Sequence, residues 1–514
     1  MLAERKVKML ELIMSLLPII CLLTCLLVLN MTAIKASAWS FLSAAAIYFF
    51  YFKSGSGIMI SMAKGFGLAI FVVLIIWGAM LLYNVVNETG ALKVINRNIE
   101  MAIEDRLIQF LLLSWVFASF LQGIAGFGVP VIVVTPILVA LGFAPEISAA
   151  AVLVGHCWSI SFGSMGSSIY AINMVTETDL EEIVLNMSLF GTVAMVCTGI
   201  VVCFIFGRKG SFLKGLVYVF ITSLFMGATL YVMARFQMFS IIGLSTGAVG
   251  ALVLLTINKI TGKGRLSERL KLGVDEEGIK IGHAILPYVL IVALSILFFI
   301  IDPKFQLGFS FPGYETAAGE MIEAEEDYVT FNILKFPLSI ILMATIISGF
   351  VFKKKNALNR TKLKRILKNT VHKCTPTTVT IVFLLTMAVI MMDSGMIENL
   401  ALAMVAVSGE LYPIFASFVG VLGAFITGSN TNSNIIFGNF QEIAANTLGY
   451  SAAVMCAVQS IGASIGGAIG PTTVALGATA AQIQGKESLI YKKTLVPILV
   501  SALILGILNY MMLN

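Results

Sequence analysis

Ten apolar stretches, each long enough to cross a lipid bilayer, constrain this chain more than any other feature of its sequence. A spanning helix needs about 20 apolar residues to cover the hydrocarbon layer. The candidate spans are 9–29, 36–52, 65–86, 184–206, 213–233, 238–258, 282–301, 331–352, 375–392 and 494–512. These stretches predict an all-α, polytopic membrane protein that forms a single domain over residues 1–514.

Two further apolar stretches, 107–170 and 411–481, are too long and too often interrupted to be simple spans. Glycine, proline and polar residues divide both of them, which is typical of broken or re-entrant helices. Together with the ten simple spans they predict about 12 or more transmembrane helices. The first stretch, 9–29, follows Arg5, Lys6 and Lys8 as in a signal peptide, but it is longer than the usual apolar core, so we interpret it as a span.

The charged residues lie between the spans and predict the orientation of the middle of the chain. Segment 353–373 carries nine Lys or Arg residues and no acid, and segment 259–280 carries six basic residues. Segment 302–327 carries seven acids, with Lys304 as its one base. Because basic loops stay in the cytoplasm, we expect the acidic segment outside. No basic stripe alternates with aromatic residues, so no nucleic-acid partner is expected.

An internal repeat relates the two interrupted stretches. Gly90 lies 33 residues before Gly123, and Gly395 lies 33 residues before Gly428, so both pairs share an offset of 305. The spacing predicts two structural repeats, about 65–206 and 375–512, and substrate sites in such transporters form where the broken helices correspond. Chance alignment among 45 glycines is the alternative.

Segment 428–434 is the strongest candidate for a binding site. It places six consecutive polar side chains after Gly428 inside an apolar stretch, where each unpaired polar group would be costly to bury. Ser, Thr and Asn are helix N-cap residues, so we predict that a helix begins here and runs to about Thr447. Its amides and positive dipole end would suit a carboxylate. The alternative is a turn outside the membrane.

Segment 123–130 is the corresponding part of the first interrupted stretch. Its three glycines permit an unwound backbone, and Pro130 suits the first turn of a restarting helix. The alternative is that these glycines only permit close helix packing. The predicted substrate-binding residues from both segments are Gly126, Phe127, Gly128, Ser429, Asn430, Thr431, Asn432, Ser433 and Asn434.

Four residues are candidates for binding the coupled ion: Gln122, His156, Asp393 and Gln459. A histidine in a membrane stretch has a pKa near neutrality and can carry a proton. Asp393 directly follows an apolar run, and Asp105, Glu398 and Glu442 are weaker acidic candidates, with a solvated helix end as the alternative for each. The seven cysteines form no CxxC pair and no HExxH motif is present, so we expect no metal, no cofactor and no enzymatic site.

Several sequence blocks resemble the lactate permease family. The most specific are the Ala-Gly-Phe-Gly block at 125–128 and the Gly-Ser-Asn-Thr-Asn-Ser-Asn block at 428–434. Leu141-Gly142-Phe143, Leu286-Pro287-Tyr288 and Gly485-Lys486-Glu487 add support by their order and spacing. The resemblance implies a proton-coupled carrier of L-lactate, D-lactate and glycolate in the cytoplasmic membrane of a prokaryote.

Two departures from the family pattern concern the coupled proton. The family usually has Glu where this chain has Gln122, and tends to have Asn where this chain has His156. Proton coupling has therefore moved to His156, or the coupled ion differs. A sodium-coupled carrier of another organic anion is the alternative function, and the sequence leaves the oligomeric state open.

Overall fold

Long apolar helices dominate the computed structural model, which describes residues 9–29, 31–52, 57–103, 105–124, 126, 128–207, 210–261, 279–301, 303, 305–315, 321–322 and 325–514. Within these ranges, 11 helices are long and apolar enough to cross a membrane. Three shorter apolar helices accompany them, at Met9–Leu23, Val129–Ala140 and Leu286–Phe298. The predicted polytopic helical architecture is confirmed.

Most of the helices follow one another with short connections, and the exceptions are the intervals between Thr261 and Ile281 and between Ile301 and Pro337. In chain order the helices are α1 (Met9–Leu23), α2 (Ala33–Ile47), α3 (Gly57–Glu88), α4 (Ala91–Ala102), α5 (Arg106–Ile124), α6 (Val129–Ala140), α7 (Pro145–Cys157), α8 (Ser167–Asn173), α9 (Leu180–Phe206), α10 (Phe212–Arg235), α11 (Ile242–Thr261), α12 (Ile281–Ala284), α13 (Leu286–Ile301), α14 (Pro337–Lys354), α15 (Arg360–Asp393), α16 (Met396–Ser408), α17 (Tyr412–Thr427), α18 (Asn430–Leu448), α19 (Ala452–Gly466), α20 (Pro471–Ala480) and α21 (Glu487–Leu513).

The acidic segment contains the only strands among the described residues. Strand β1 (Gln306–Phe311) pairs antiparallel with β4 (Glu325–Asn332), and β2 (Tyr314–Glu315) pairs with β3 (Met321–Ile322). These strands are the exception in a nearly all-helical structure. The predicted span 331–352 is wrong at its start, because β4 continues to Asn332 and α14 begins at Pro337.

The basic segment 353–373 is largely helical rather than a loop, because α15 begins at Arg360. Lys and Arg are good helix formers, so the helix continues beyond its apolar part. Helix α15 packs antiparallel to α3 along most of its length. Asn84 Nδ2 donates to Thr370 Oγ1 at 2.9 Å, and Trp77 Nε1 donates to Thr378 Oγ1 at 2.9 Å.

Helix α5 and the segment Ala452–Ile469 lie at the centre of the bundle. In each, 94% of the apolar window is buried, against 33–67% for the other candidate spans. Small residues allow neighbouring backbones to approach them closely. A Cβ at Gly123 of α5 would lie 2.4 Å from Leu244 N, and one at Gly420 would lie 2.3 Å from Gln459 O. Close packing is therefore the role of Gly123 in this structure.

Each interrupted stretch is divided into four helices. Residues 107–170 contribute α5, α6, α7 and the start of α8, and residues 411–481 contribute α17, α18, α19 and α20. In both stretches a left-handed glycine follows the second helix, Gly142 (φ 83°) and Gly449 (φ 73°). The order of helices and breaks is thus alike, and the repeat itself stays a prediction.

Candidate functional site

A cavity of about 590 Å³ lies where the two interrupted stretches meet. Its walls come from α2, α3, α5, α6, α7, α8, α15, α17, α18, α20 and the breaks between them. Of the predicted site residues, those that line it are Gln122, Gly126, Gly128, His156, Ser429, Asn430, Thr431 and Asn432. Ser433, Asn434, Asp393 and Gln459 do not line it, and Phe127 lies outside the described residues. The cavity therefore brings together residues more than 300 positions apart in the chain.

Helix α18 begins at the cavity because Gly428 ends the preceding helix and Ser429 caps the next one, as the sequence predicts. Gly428 adopts a left-handed conformation (φ 68°) that ends α17, and Ser429 caps α18 by accepting a hydrogen bond from Asn432 N at 3.3 Å. The helix runs to Leu448, one residue beyond the predicted end. Its first amides and the positive end of its dipole are therefore directed at the cavity.

Two more helices begin at the same cavity. Gly128 (φ 75°) precedes α6, in which Pro130 occupies the first turn, and Thr472 and Thr473 of the first turn of α20 line the wall. Helices α6, α18 and α20 have 12, 19 and 10 residues. Three positive helix ends around one cavity make it a favourable environment for an anion.

The described lining residues carry no formal charge. They supply hydroxyls, amides and one imidazole, together with apolar side chains such as Ile76, Leu153 and Leu476. A volume of this size is within the range of roughly 300–1,000 Å³ that is typical of small-molecule sites. Such a lining can hold a small anion by hydrogen bonds and helix dipoles.

His156 is 5% exposed and ends α7 at the cavity. Its Nδ1 lies 2.5 Å from Val152 O. A carbonyl oxygen only accepts, so Nδ1 carries the hydrogen and donates it. Nε2 is then the ring nitrogen that can take up a proton.

Gln122 reaches the cavity from α5 because two glycines leave room for its side chain. A Cβ at Gly163 would lie 2.7 Å from Gln122 Nε2, and one at Gly126 would lie 3.2 Å from it. The Gln122 side chain is 5% exposed. An amide rather than an acid therefore occupies this enclosed position beside the first break.

Backbone strain fixes the loop that faces this break. Ser164 (φ 46°) and Met165 (φ 55°) adopt left-handed conformations, which cost about 1–3 kcal/mol each for residues with side chains. In return, Ser164 Oγ accepts a hydrogen bond from Gly126 N at 2.8 Å. The unwound backbone at Gly126 is thereby held in place rather than left free.

A buried hydrogen-bond network behind the cavity connects α18 to the Ser- and Gly-rich segments 159–168 and 459–471. Asn430 Nδ2 donates to Ser161 Oγ at 3.0 Å and to Ser460 O at 2.9 Å. Asn434 Nδ2 donates to Ser460 Oγ at 2.9 Å, and Ser464 Oγ accepts from Ser161 N at 2.9 Å. The Ser- and Gly-rich segments 159–168 and 459–471 thus contact each other and support the start of α18.

Ser433 and Gln459 belong to a second buried network, which faces away from the cavity. Tyr412 OH donates to Gln441 Oε1 at 2.7 Å, Gln441 Nε2 donates to Gln459 Oε1 at 3.1 Å, and Gln459 Nε2 donates to Ser433 Oγ at 3.1 Å. Ser433 Oγ in turn donates to Gly420 O at 3.1 Å. These hydrogen bonds join α17, α18 and α19, so the two residues have a packing role here.

The acidic candidates lie outside the cavity. Asp393 accepts a hydrogen bond from Ser61 Oγ at 2.5 Å. It lies 13 residues beyond the cavity residue Thr380 on α15, which corresponds to about 20 Å along a helix. Asp105 caps α5 by accepting from Leu107 N at 2.8 Å.

Glu442 is 5% exposed and also accepts hydrogen bonds away from the cavity. Its Oε1 accepts from Glu177 N at 2.9 Å and from Thr178 Oγ1 at 2.5 Å. It therefore holds the connection between α8 and α9 against α18.

Two groups of threonines that line the cavity could not be recognised from the sequence. Thr377 and Thr380 of α15 line the cavity, and so do Thr472 and Thr473 of α20. Threonines in apolar stretches were the available signal, but their spacing does not reveal which face they occupy. Lys64 of α3, 3% exposed, was not predicted either, although a lysine within an apolar stretch indicates a functional or paired group.

Comparison with known proteins identifies the family. The sequence model of the family described as L-lactate permease matches residues 11–514. Similar proteins include an L-lactate permease of Streptococcus iniae, 29% identical over 73% of this chain and 78% of its own length. An L-lactate permease and the glycolate permease GlcA of Escherichia coli (strain K12) are each 26% identical, over 96% and 97% of this chain and 94% of their own lengths.

Among solved structures, the Alcanivorax borkumensis YdaH transporter aligns with a TM-score of 0.44 and 13% sequence identity, over 88% of this chain and 87% of its own. The family match, by contrast, covers nearly the whole sequence, including both breaks and the cavity between them. This chain is therefore a member of the L-lactate permease family.

Proposed function

We propose that this protein is a secondary active transporter that carries lactate, and by the same chemistry glycolate, across the cytoplasmic membrane of a bacterium. The neutral cavity faced by three helix N-termini is the observation that carries the proposal. Its relatives are named L-lactate permease and glycolate permease, and both names refer to small monocarboxylates.

The substrate carboxylate binds at the start of α18, beside Ser429, Asn430 and Asn432. Gly126 and Gly128 face it from the other break. Because no fixed cation lines the described part of the cavity, binding relies on hydrogen bonds and partial charges. A carrier must also release its cargo, and release is easier because the described lining carries no permanent charge that stays paired with the carboxylate.

The coupled ion in this proposal is a proton carried by His156. With Nδ1 bonded to Val152 O, protonation at Nε2 places a positive charge on the wall of the cavity. That charge attracts the carboxylate, so proton and substrate favour each other's binding. Gln122, which does not titrate, cannot supply this charge.

Uptake of radiolabelled L-lactate into proteoliposomes, with and without an inward proton gradient, tests the proposal. Accumulation above equilibrium only with the gradient is the expected result. Replacing sodium by choline is the control, and it should leave uptake unchanged. Absence of lactate uptake by folded protein would overturn the substrate, whereas uptake that needs sodium would overturn the proton.

A further inference from the structure

An open, mostly apolar depression in the protein surface adjoins the site cavity on the side of the basic segment. It has a volume of about 590 Å³ and shares two lining residues, Ile34 and Pro376, with the site cavity. Its lining residues are Ile34, Leu367, Lys368, Val371, His372, Thr375 and Pro376. We call this depression the vestibule. The space around the site therefore continues past Ile34 and Pro376 towards the start of α15.

One face of α15 connects the two spaces. Lys368, His372, Pro376 and Thr380 follow one another at intervals of four residues, so they lie on the same side of the helix. Lys368 and His372 line the vestibule, Pro376 lines both spaces, and Thr380 lines the site cavity. The face thus passes from a cationic end to the neutral site without crossing to another helix.

The charge of this end suits an anion. Segment 353–373 carries nine basic residues and no acid, and its Lys368 reaches into the vestibule wall. A field of one sign at the mouth of a cavity raises the local concentration of ions of the opposite sign. The basic segment therefore attracts a small carboxylate to this end of the protein, while the lining of the vestibule itself is mostly apolar.

Helix α2 meets α15 where the two spaces adjoin. Ile34 in the first turn of α2 and Pro376 of α15 line both spaces, so they form the boundary between them. Pro376 has no amide hydrogen, so the carbonyl of His372 loses its usual helical partner. Helix α15 is consequently weakened at the point where it must bend for the boundary to widen.

We propose that the vestibule is the passage by which the carboxylate moves between the site cavity and the aqueous side that bears segment 353–373, with Ile34 and Pro376 as its gate. The identity of the cargo rests on the proposed function. The existence and sidedness of the passage rest on the lining of the two spaces alone.

Ile34→Cys, reacted with a membrane-impermeant anionic thiol reagent, tests the gate. The unmodified protein with its own seven cysteines supplies the background. Lys355→Cys, exposed within the basic segment, marks the side of the membrane, and Phe50→Cys, 75% exposed beyond the end of α2 and away from both spaces, is the matched control. We expect Ile34→Cys to react from the same side as Lys355→Cys, Phe50→Cys not to react, and modification at position 34 to abolish lactate uptake.

Reaction of Ile34→Cys from the opposite side only, or no reaction from either side, would overturn the passage. Thr375→Cys, at an exposed vestibule position, provides a second test if the first variant does not fold. Labelling does not depend on the cargo, so the two proposals fail separately. An unmodified protein that transports no lactate refutes the substrate, whereas the labelling pattern decides the passage.

Discussion

Gly428→Ala and Gly449→Ala form a matched pair that separates the role of the helix break at Gly428 in transport from its role in folding. Both glycines follow the end of a helix in the left-handed conformation, with φ of 68° and 73°. An L-residue pays about 1–2 kcal/mol for this conformation, so both variants should lose similar stability. Their surroundings differ, because a Cβ at position 449 meets nothing within 4 Å and one at position 428 lies 2.4 Å from Thr472 Oγ1.

The overlap between a Cβ at position 428 and Thr472 Oγ1 should reduce substrate binding. An ordinary contact needs about 3.5 Å, so the Thr472 hydroxyl must move by about 1 Å. Thr472 lines the cavity in the first turn of α20, and its displacement disturbs the site directly. We expect substrate affinity to fall about tenfold, equivalent to about 1.4 kcal/mol, in Gly428→Ala alone. The thermal unfolding midpoints of the two variants should agree.

Binding of L-lactate to purified protein and uptake into proteoliposomes measure the substrate affinity. Thermal unfolding measures the stability of each variant. Thr472→Ala removes the overlapping oxygen, so adding it to Gly428→Ala should cost less than the sum of the two single effects. Equal uptake by Gly428→Ala and Gly449→Ala at equal stability would refute the placement of Thr472 in the site.

Three further substitutions test the other parts of the proposal. His156→Ala should abolish accumulation driven by a proton gradient while lactate exchange without a gradient continues, and retained coupling would remove His156 as the proton carrier. Asn430→Asp adds a negative charge beside the bound carboxylate and should lower lactate affinity by more than tenfold, about 1.4 kcal/mol or more. Asn446→Asp, at an exposed position of the same helix, should leave lactate affinity unchanged. Equal lactate affinities of Asn430→Asp and Asn446→Asp in uptake assays would contradict the assigned site. Glu442→Gln weakens the contact with 177–178 and should lower the free energy of unfolding by about 1–3 kcal/mol without changing the KM for lactate, so a raised KM at unchanged stability would be evidence against its packing role.

Features governed by short-range chemistry could be predicted from the sequence. The length of an apolar run sets whether a helix can span the bilayer, and this predicted most of the helices. The start of α18 was predicted because Gly428 permits a left-handed turn and Ser429 caps the next helix, both local effects. The same reasoning anticipated Gly128 and Pro130 at the start of α6.

Features governed by packing could not be predicted. Ser433 and Asn432 are neighbours, yet Asn432 lines the cavity and Ser433 is bonded to Gly420 O, because successive residues of a helix point in different directions. Asp393 was a reasonable candidate by its position after an apolar run, but α15 carries it about 20 Å away from Thr380. Hydropathy does not register the helix propensity of Lys and Arg, so it does not predict that α15 begins within the basic segment.

Helix α20 contacts both helix breaks, the one at Gly128 and the one at Gly428. A Cβ at Gly128 would lie 2.1 Å from Leu476 Cδ2, and one at Gly428 would lie 2.4 Å from Thr472 Oγ1, so α20 packs against both left-handed glycines. A displacement of α20 therefore changes both halves of the cavity at once. The described residues of both breaks carry no formal charge, so in the proposed site the affinity depends on weak, directional contacts being aligned together with the charge on His156. Such a site loses affinity when its walls shift slightly, which is the property that a carrier needs in order to release on one side what it has bound on the other.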